Sequence, residues 1–162
     1  MVVVLMGVSG SGKTTIGKAL AAELGWAFVE ADDFHPAANV EKMRGGTPLN
    51  DEDRRPWLRA LRSRVEEACE RNEDVVLACS ALKADYRDYL ERDDPACVHF
   101  VYLRGSEELI RSRLEGREGH FMDPALLHSQ FEALEPPEGA IQIDITPAPE
   151  VIAVEIRRKL GL

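Results

Sequence analysis

Residues 7–14 read Gly-Val-Ser-Gly-Ser-Gly-Lys-Thr, directly after the apolar run Val2–Met6 and directly before a helical stretch; nothing else in the chain restricts its fold as tightly. The octapeptide fills every fixed position of GxxxxGK(S/T) in the strand-loop-helix setting that the pattern requires. Glycines at these places let backbone N–H groups turn inward onto phosphate oxygens without Cβ clashes, and the helix that follows adds the partial positive charge of its N-terminus. Gly7, Ser9, Gly10, Ser11, Gly12, Thr14 and Thr15 are therefore the expected cradle of a nucleotide. Lys13 reaches its β- and γ-phosphates, and the Thr14 hydroxyl completes a Mg²⁺ shell. ATP and Mg²⁺ are the implied cofactors.

Apolar runs of strand length alternate with amphipathic helical stretches along the remaining chain. Strands are expected at about Val2–Met6, Ala27–Glu30, Val75–Cys79, His99–Leu103 and Ala140–Asp144. Helices are expected at about Lys13–Leu24, Val40–Arg44, Asp51–Arg71, Ala84–Glu91, Glu107–Gly116, Pro124–Leu134 and Glu150–Leu160, with Gly25 as a C-terminal stop. This alternation predicts an α/β architecture of the P-loop NTP-hydrolase type, a five-stranded parallel sheet flanked by helices. At 162 residues, one domain over residues 1–162 is expected.

With 20 basic against 29 acidic residues the chain carries a net charge of −9, which repels polyanions and argues against a nucleic-acid partner. A small anionic substrate then requires a local pocket of Arg, Lys and His. No run approaches the ~18 apolar residues of a membrane helix. The short opening run has no basic leader and ends in the glycine motif, so neither signal peptide nor anchor is expected and the default location is cytoplasmic. Cys69, Cys79 and Cys97 are odd in number and lack CxxC or metal-like spacing, so three reduced thiols are expected.

The strand Val75–Ala78 ends in Cys79-Ser80, without the aspartate that holds Mg²⁺ in motor and switch proteins. The nearest suitable carboxylates are Asp32 and Asp33, the first of them 19 residues beyond Lys13 and just past the second strand. In a parallel sheet that strand end shares a crevice with the phosphate loop. A carboxylate there can accept a proton from an attacking hydroxyl or hold a Mg²⁺-bound water. The other reading is a helix N-cap near His35-Pro36, and one of the two aspartates can serve only that.

The segments LMGVSGSGKTT, ADDFHPAANVEKMRGGTPLNDEDRRPWL, CSALKADYRDYL and GHFMDPALLHSQFEALEPP resemble, in order and spacing, the successive motifs of the gluconokinases, a branch of the shikimate-kinase-like P-loop small-molecule kinases. The likeness runs from Leu5 to about Pro137, and its most restrictive part is DxxHPxxNxxKMxxGxPLxDxDRxPWL over Asp32–Leu58. It implies transfer of the ATP γ-phosphate to the 6-hydroxyl of D-gluconate, and a homodimer. It favours Asp32 over Asp33 as the acidic residue at the acceptor hydroxyl and as a metal ligand. His35 belongs to the same motif on the substrate side. Arg54 matches the place where related kinases hold an acid-sugar carboxylate, a job suited to a planar guanidinium, with a solvated helix charge as the alternative.

Ser80 and Lys83 can present a hydroxyl and an ammonium to a polyhydroxy anion. Arg87, four residues on, shares that helical face, and for both Lys83 and Arg87 substrate contact competes with surface pairing to Asp85, Asp88 or Glu91. Arg113 resembles a family arginine against the adenine or its phosphates. Gly116 and Gly119 bracket Arg117, which reads as a mobile lid over about 113–123 whose arginine closes on the transferring phosphate, or else as an ordinary loop with solvated charges. His120 and Gln130 are placed with the substrate contacts. Another sugar-acid kinase, a shikimate kinase or a non-catalytic nucleotide-binding module are the competing readings. Cys79-Ser80-Ala81 stands where shikimate kinases carry a glycine triplet, and a non-catalytic module has no need of Asp32 or Arg117.

Overall fold

The first strand, β1 (Val2–Met6), is apolar at every residue because it is covered on both sides: Val3 and Leu5 enter one layer of core, Val2, Val4 and Met6 the other. A computed structural model of the chain describes residues 1–91, 94–116 and 124–162. In it β1 is the centre of a five-stranded, all-parallel sheet in the order β2-β3-β1-β4-β5, with β2 at Ala27–Glu30, β3 at Val75–Ala78, β4 at Val98–Arg104 and β5 at Ile141–Asp144.

The described residues form seven helices, all but α2 contributing to the core against the sheet: α1 (Lys13–Leu24), α2 (Ala37–Arg44), α3 (Asp51–Glu70), α4 (Ala84–Glu91), α5 (Glu107–Glu115), α6 (Pro124–Ala133) and α7 (Pro149–Leu160). On one face Ile16 and Leu20 of α1, Ile110 of α5, Leu127 of α6 and Ile152 and Ile156 of α7 meet Val3 and Leu5. On the other, Trp57, Leu61, Val65 and Ala68 of α3 and Leu90 of α4 meet Val2, Val4 and Met6. The apolar residues of α3 recur at spacings of three and four, which puts them on one stripe. Asn50 starts that helix: its side chain accepts from the Asp53 N–H while the Asp53 carboxylate accepts from the Asn50 N–H, so two otherwise orphaned donors are satisfied. Gly25 ends α1 in the left-handed conformation expected of it.

The architecture is the expected one, with no strand end shifted by more than one residue. Helix α2 starts at Ala37 rather than Val40, because Pro36 at its N-cap has no N–H to lose and lets the helix begin directly after it. A 3₁₀ turn over Ala31–Phe34, too short to show a periodicity, follows β2. The expectation of three reduced thiols is corrected: Cys69 and Cys97 form a disulfide, and Cys79 alone stays free, buried at the end of β3. The cysteines lie 28 residues apart in sequence, but α3 ends beside the entry to β4 and brings their Cα atoms to 6.0 Å. Among the described residues no helix is long and apolar enough to cross a membrane.

Leu61 is fully buried between α3 and the sheet. Leu61→Ala is expected to lower the unfolding free energy by about 3 kcal/mol and the melting temperature by about 6–10 °C, as read by urea and thermal denaturation; an unchanged midpoint would deny this helix its place in the core.

Candidate active site

Register decides which loops meet. Leu5 of β1 pairs with Ala78 of β3, and Ala78 with Glu30 of β2, so Gly7, Ser80 and Asp32 leave the sheet at one height along its C-terminal edge. Adjacent strands lie about 4.8 Å apart, which sets the root of the phosphate loop about 10 Å from the Asp32 strand with the β3 loop between them. Ligands of open parallel sheets bind at this edge.

The phosphate loop arches over the start of α1. Gly7 and Gly10 adopt φ of 148° and 78°; a Cβ on Gly7 would come within 2.9 Å of the Leu103 carbonyl oxygen, and one on Gly10 within 2.8 Å of Leu114. Only glycine fits at either place. Lys13, half-buried beneath the arch, donates through Nζ to the carbonyls of Gly7 (2.9 Å) and Val8 (3.0 Å), holding an ammonium at the loop's centre. Burial pushes its pKa below the usual lysine value, against the pull of Asp32, Cys79 and Glu30. Ser11 is fully buried and its hydroxyl has no partner among the described residues, while Thr14 and Thr15 face solvent.

Glu30, the last residue of β2, is a participant that sequence reasoning missed. Its carboxylate accepts from the Thr14 hydroxyl at 2.7 Å, and burial raises its pKa, opposed by that hydrogen bond. The signal was its place two residues before Asp32 at the crevice edge. Asp32 itself extends into solvent with its side chain 81% exposed. No side-chain cap forms on the 3₁₀ turn or on α2, so neither aspartate is used as an N-cap. Thr14, Glu30 and Asp32 form a set of hard oxygen donors, the chemistry that suits Mg²⁺.

His35 is stacked on Trp57, ring centroids 4.7 Å apart and planes 9° from parallel, and Trp57 in turn donates through Nε1 to the Ala31 carbonyl at 2.7 Å. Asn39, buried on α2, gives its amide Nδ2 to the Asp53 carbonyl (2.8 Å) and to His35 Nδ1 (3.3 Å). An amide NH₂ only donates, so Nδ1 accepts and Nε2 carries the proton, 3.9 Å from Asp32 Oδ1. Burial lowers the His35 pKa, and Arg54 adds to this against Asp32.

Arg54, Lys83 and Tyr86 converge on one carboxylate. Lys83 Nζ lies 2.9 Å from Asp51 Oδ1, Arg54 Nη1 lies 3.8 Å from it, and the Tyr86 hydroxyl donates to it. The expected acid-binding cations Arg54 and Lys83 are thus brought together from α3 and α4; Asp51 and Tyr86 were not anticipated, since only folding sets the two helix N-termini side by side. The hydrogen bonds from Tyr86 and Lys83 hold the Asp51 carboxyl below the usual carboxylate range.

Two residues expected at the substrate have other partners. Arg87 is 7% exposed and donates to the carbonyls of Ala81 and Leu82, so it faces the β3 loop from inside rather than the crevice. Gln130 accepts the Ser9 N–H at 2.7 Å, which ties α6 to the phosphate loop. Ser80 is half-buried at the crevice edge, and its carbonyl accepts the Gly7 N–H at 3.2 Å. Arg113 donates to the carbonyls of Ile145 and Thr146 and so fastens α5 to the loop after β5. Arg117 and His120, with the lid from residue 117 onward, lie outside the described residues. Cys79, beside Lys13, has its thiol pushed up to about 12 by burial and stays neutral. A cavity of about 560 Å³ behind Arg87, lined also by Asp88, His99 and Glu135, contains none of the phosphate-loop residues; chemistry rather than room locates the site.

Because the folded state disfavours protonated His35 while the unfolded chain takes up a proton below about pH 6.5, stability is expected to fall as pH drops through that value. Urea midpoints at pH 7.5 and 5.5 check this. The fall should be smaller in His35→Phe, and an equal fall in both proteins would exclude His35 as its source.

A family model described as an AAA domain matches residues 2–137. The chain is 48% identical to a protein named probable gluconokinase from Xenopus tropicalis, over 96% of this chain and 91% of that one. It is 50% identical to the thermosensitive gluconokinase of Escherichia coli (strain K12), over 88% and 78% of the two chains. The crystal structure of a gluconokinase from Sinorhizobium meliloti 1021 superposes with a TM-score of 0.90 at 42% identity, covering 98% of this chain and 90% of that one. Likeness at 17% identity to shikimate kinase from Aquifex aeolicus, TM-score 0.65, is a likeness of fold. Identity approaching one half, sustained over most of the length of both partners, goes beyond a shared fold, and the chain belongs to the gluconokinase family.

Proposed function

We propose that this protein transfers the γ-phosphate of ATP to the 6-hydroxyl of D-gluconate, yielding 6-phosphogluconate and ADP. The observation that carries the reading is the common height of Gly7, Ser80 and Asp32, which aligns a phosphate seat, an acceptor loop and a carboxylate along one edge of the sheet. The family to which the chain belongs supports the acceptor.

The backbone amides of the phosphate loop and the N-terminus of α1 bind the triphosphate, and Lys13 turns its ammonium from the loop carbonyls toward the β- and γ-oxygens. Thr14, Glu30 and Asp32 would hold a Mg²⁺, which supplies charge neutralisation across the β- and γ-phosphates. Arg54 and Lys83 bind the carboxylate of the sugar acid, displacing Asp51 from their charges. Asp32 accepts the proton of the attacking hydroxyl, and His35 borders its carboxylate from a rigid stack against Trp57. The oxygen of the acceptor forms the new P–O bond as the bond to the β-phosphate oxygen breaks, and ADP leaves with that oxygen's charge.

A coupled assay for ADP release over gluconate, shikimate and a panel of sugars tests the reading: gluconate alone is expected to raise the rate well above basal hydrolysis, and no acceleration by gluconate would refute it. Lys13→Ala removes charge compensation in the transition state and is expected to lower kcat by about 10³-fold with the circular-dichroism spectrum unchanged. Asp32→Asn is expected to be nearly inactive while Asp33→Asn keeps most of the parental rate; the reverse order would move the chemistry to Asp33.

A further inference from the structure

We infer that Glu135 and Arg87 form a clamp that positions the acceptor loop, residues 80–84, and so sets affinity for the sugar acid without either side chain touching it. The inference rests on the gluconate reading above. The loop needs such a device, because Ala81 is held at φ 41°, a left-handed conformation unfavourable for a residue with a Cβ, and is 1% exposed.

Arg87, one turn into α4, donates from Nη1 to the Ala81 carbonyl at 2.9 Å and to the Leu82 carbonyl at 3.1 Å. Both acceptors belong to the strained stretch. The charge of this buried guanidinium is balanced by the carboxylates of Glu135, Asp88 and Glu91. Glu135, just past α6, grips the same loop twice: its backbone N–H donates to the Leu82 carbonyl at 2.9 Å, and its carboxylate accepts the N–H of Ala84, the first residue of α4. That N–H is an orphan of the helix N-terminus, where a carboxylate is favoured by charge as well as by the hydrogen bond. Leu82 thereby receives donors from both partners of the clamp.

What the clamp holds lies next to the acceptor. Ser80 on one side of the strained residue is bonded to Gly7, and Lys83 on the other carries the ammonium that meets Asp51 and Arg54. Gln130, on the helix that ends just before Glu135, binds Ser9 of the phosphate loop. One element thus braces the nucleotide side and the acceptor side together. Glu135 follows no recognisable spacing from the phosphate loop, and this role is visible only in the fold.

The test uses the full-length enzyme. Glu135→Ala is expected to raise KM for gluconate about tenfold, the size of one lost charge-assisted hydrogen bond, while KM for ATP changes by less than about twofold. Glu135→Gln keeps an oxygen acceptor for Ala84 and is expected to bring KM for gluconate back to within about threefold of the parent. Native-state amide exchange should show the Ala84 N–H exchanging about tenfold faster in Glu135→Ala. Should Glu135→Ala fail to fold, Arg87→Lys, which loses the planar fork but keeps the charge, is expected to raise KM for gluconate about threefold or more. An unchanged KM for gluconate in either variant, or equal rises in both KM values, overturns the clamp. If the parent accelerates with no sugar acid, the gluconate reading falls by itself, and Ala84 exchange decides the clamp: faster exchange in Glu135→Ala retains it, unchanged exchange removes it.

Discussion

Parallel register is the constraint from which the site follows. Leu5, Ala78 and Glu30 are paired across three adjacent strands, and a slip of one residue in any of them would reverse which side chains enter each layer of core. The cost of such a slip is high at the centre of the sheet, where Val2 to Met6 are all buried. Hydrophobic packing on the two faces therefore sets, as a by-product, the height at which the phosphate loop, the β3 loop and the acidic strand end emerge.

Charge is arranged against the overall balance of the chain. A net charge of −9 would repel both ATP and a sugar acid, yet Lys13, Arg54, Lys83 and Arg113 stand along one edge. Each is given an acceptor of the protein's own: loop carbonyls for Lys13 and Arg113, the Asp51 carboxylate for Arg54 and Lys83. These acceptors keep the cations oriented. Cys79 beside Lys13 is no such acceptor, since burial keeps its thiol neutral.

Much of the fold could be read in advance because its elements are marked by local chemistry. β-Branched residues and a following glycine loop mark β1, and Gly25 closes α1 where a left-handed residue was needed. The 3₁₀ turn after β2 could not be read, being shorter than any period. Apolar periodicity places the start of α2 three residues late, because Pro36 is as compatible with a helix start as with a turn. In the candidate site, the loop carrying Lys13 and Thr14 is legible from motif spacing, whereas Asp32 is preferred to Asp33 only through the family resemblance. Glu30, Asp51, Tyr86 and Glu135 are not legible, since each acts through a partner 16 to 51 residues away.

The sequence by itself determined the class of fold and the phosphate-loop motif, because short-range patterns of glycine, charge and apolar period act within one turn or one strand, and it pointed to the kind of chemistry through its family likeness. Tertiary structure alone decided which polar groups share a partner. Arg87 sits on α4 at a spacing that suits a solvated charge or a substrate ligand equally well, and only the approach of residues 81–82 and of the segment after α6 turned it inward. Cys69 and Cys97 were likewise made a pair by the meeting of a helix end and a strand start. Hydrogen bonds and disulfides form over a few ångströms, and distances of that kind between remote residues are fixed by the packing of whole elements.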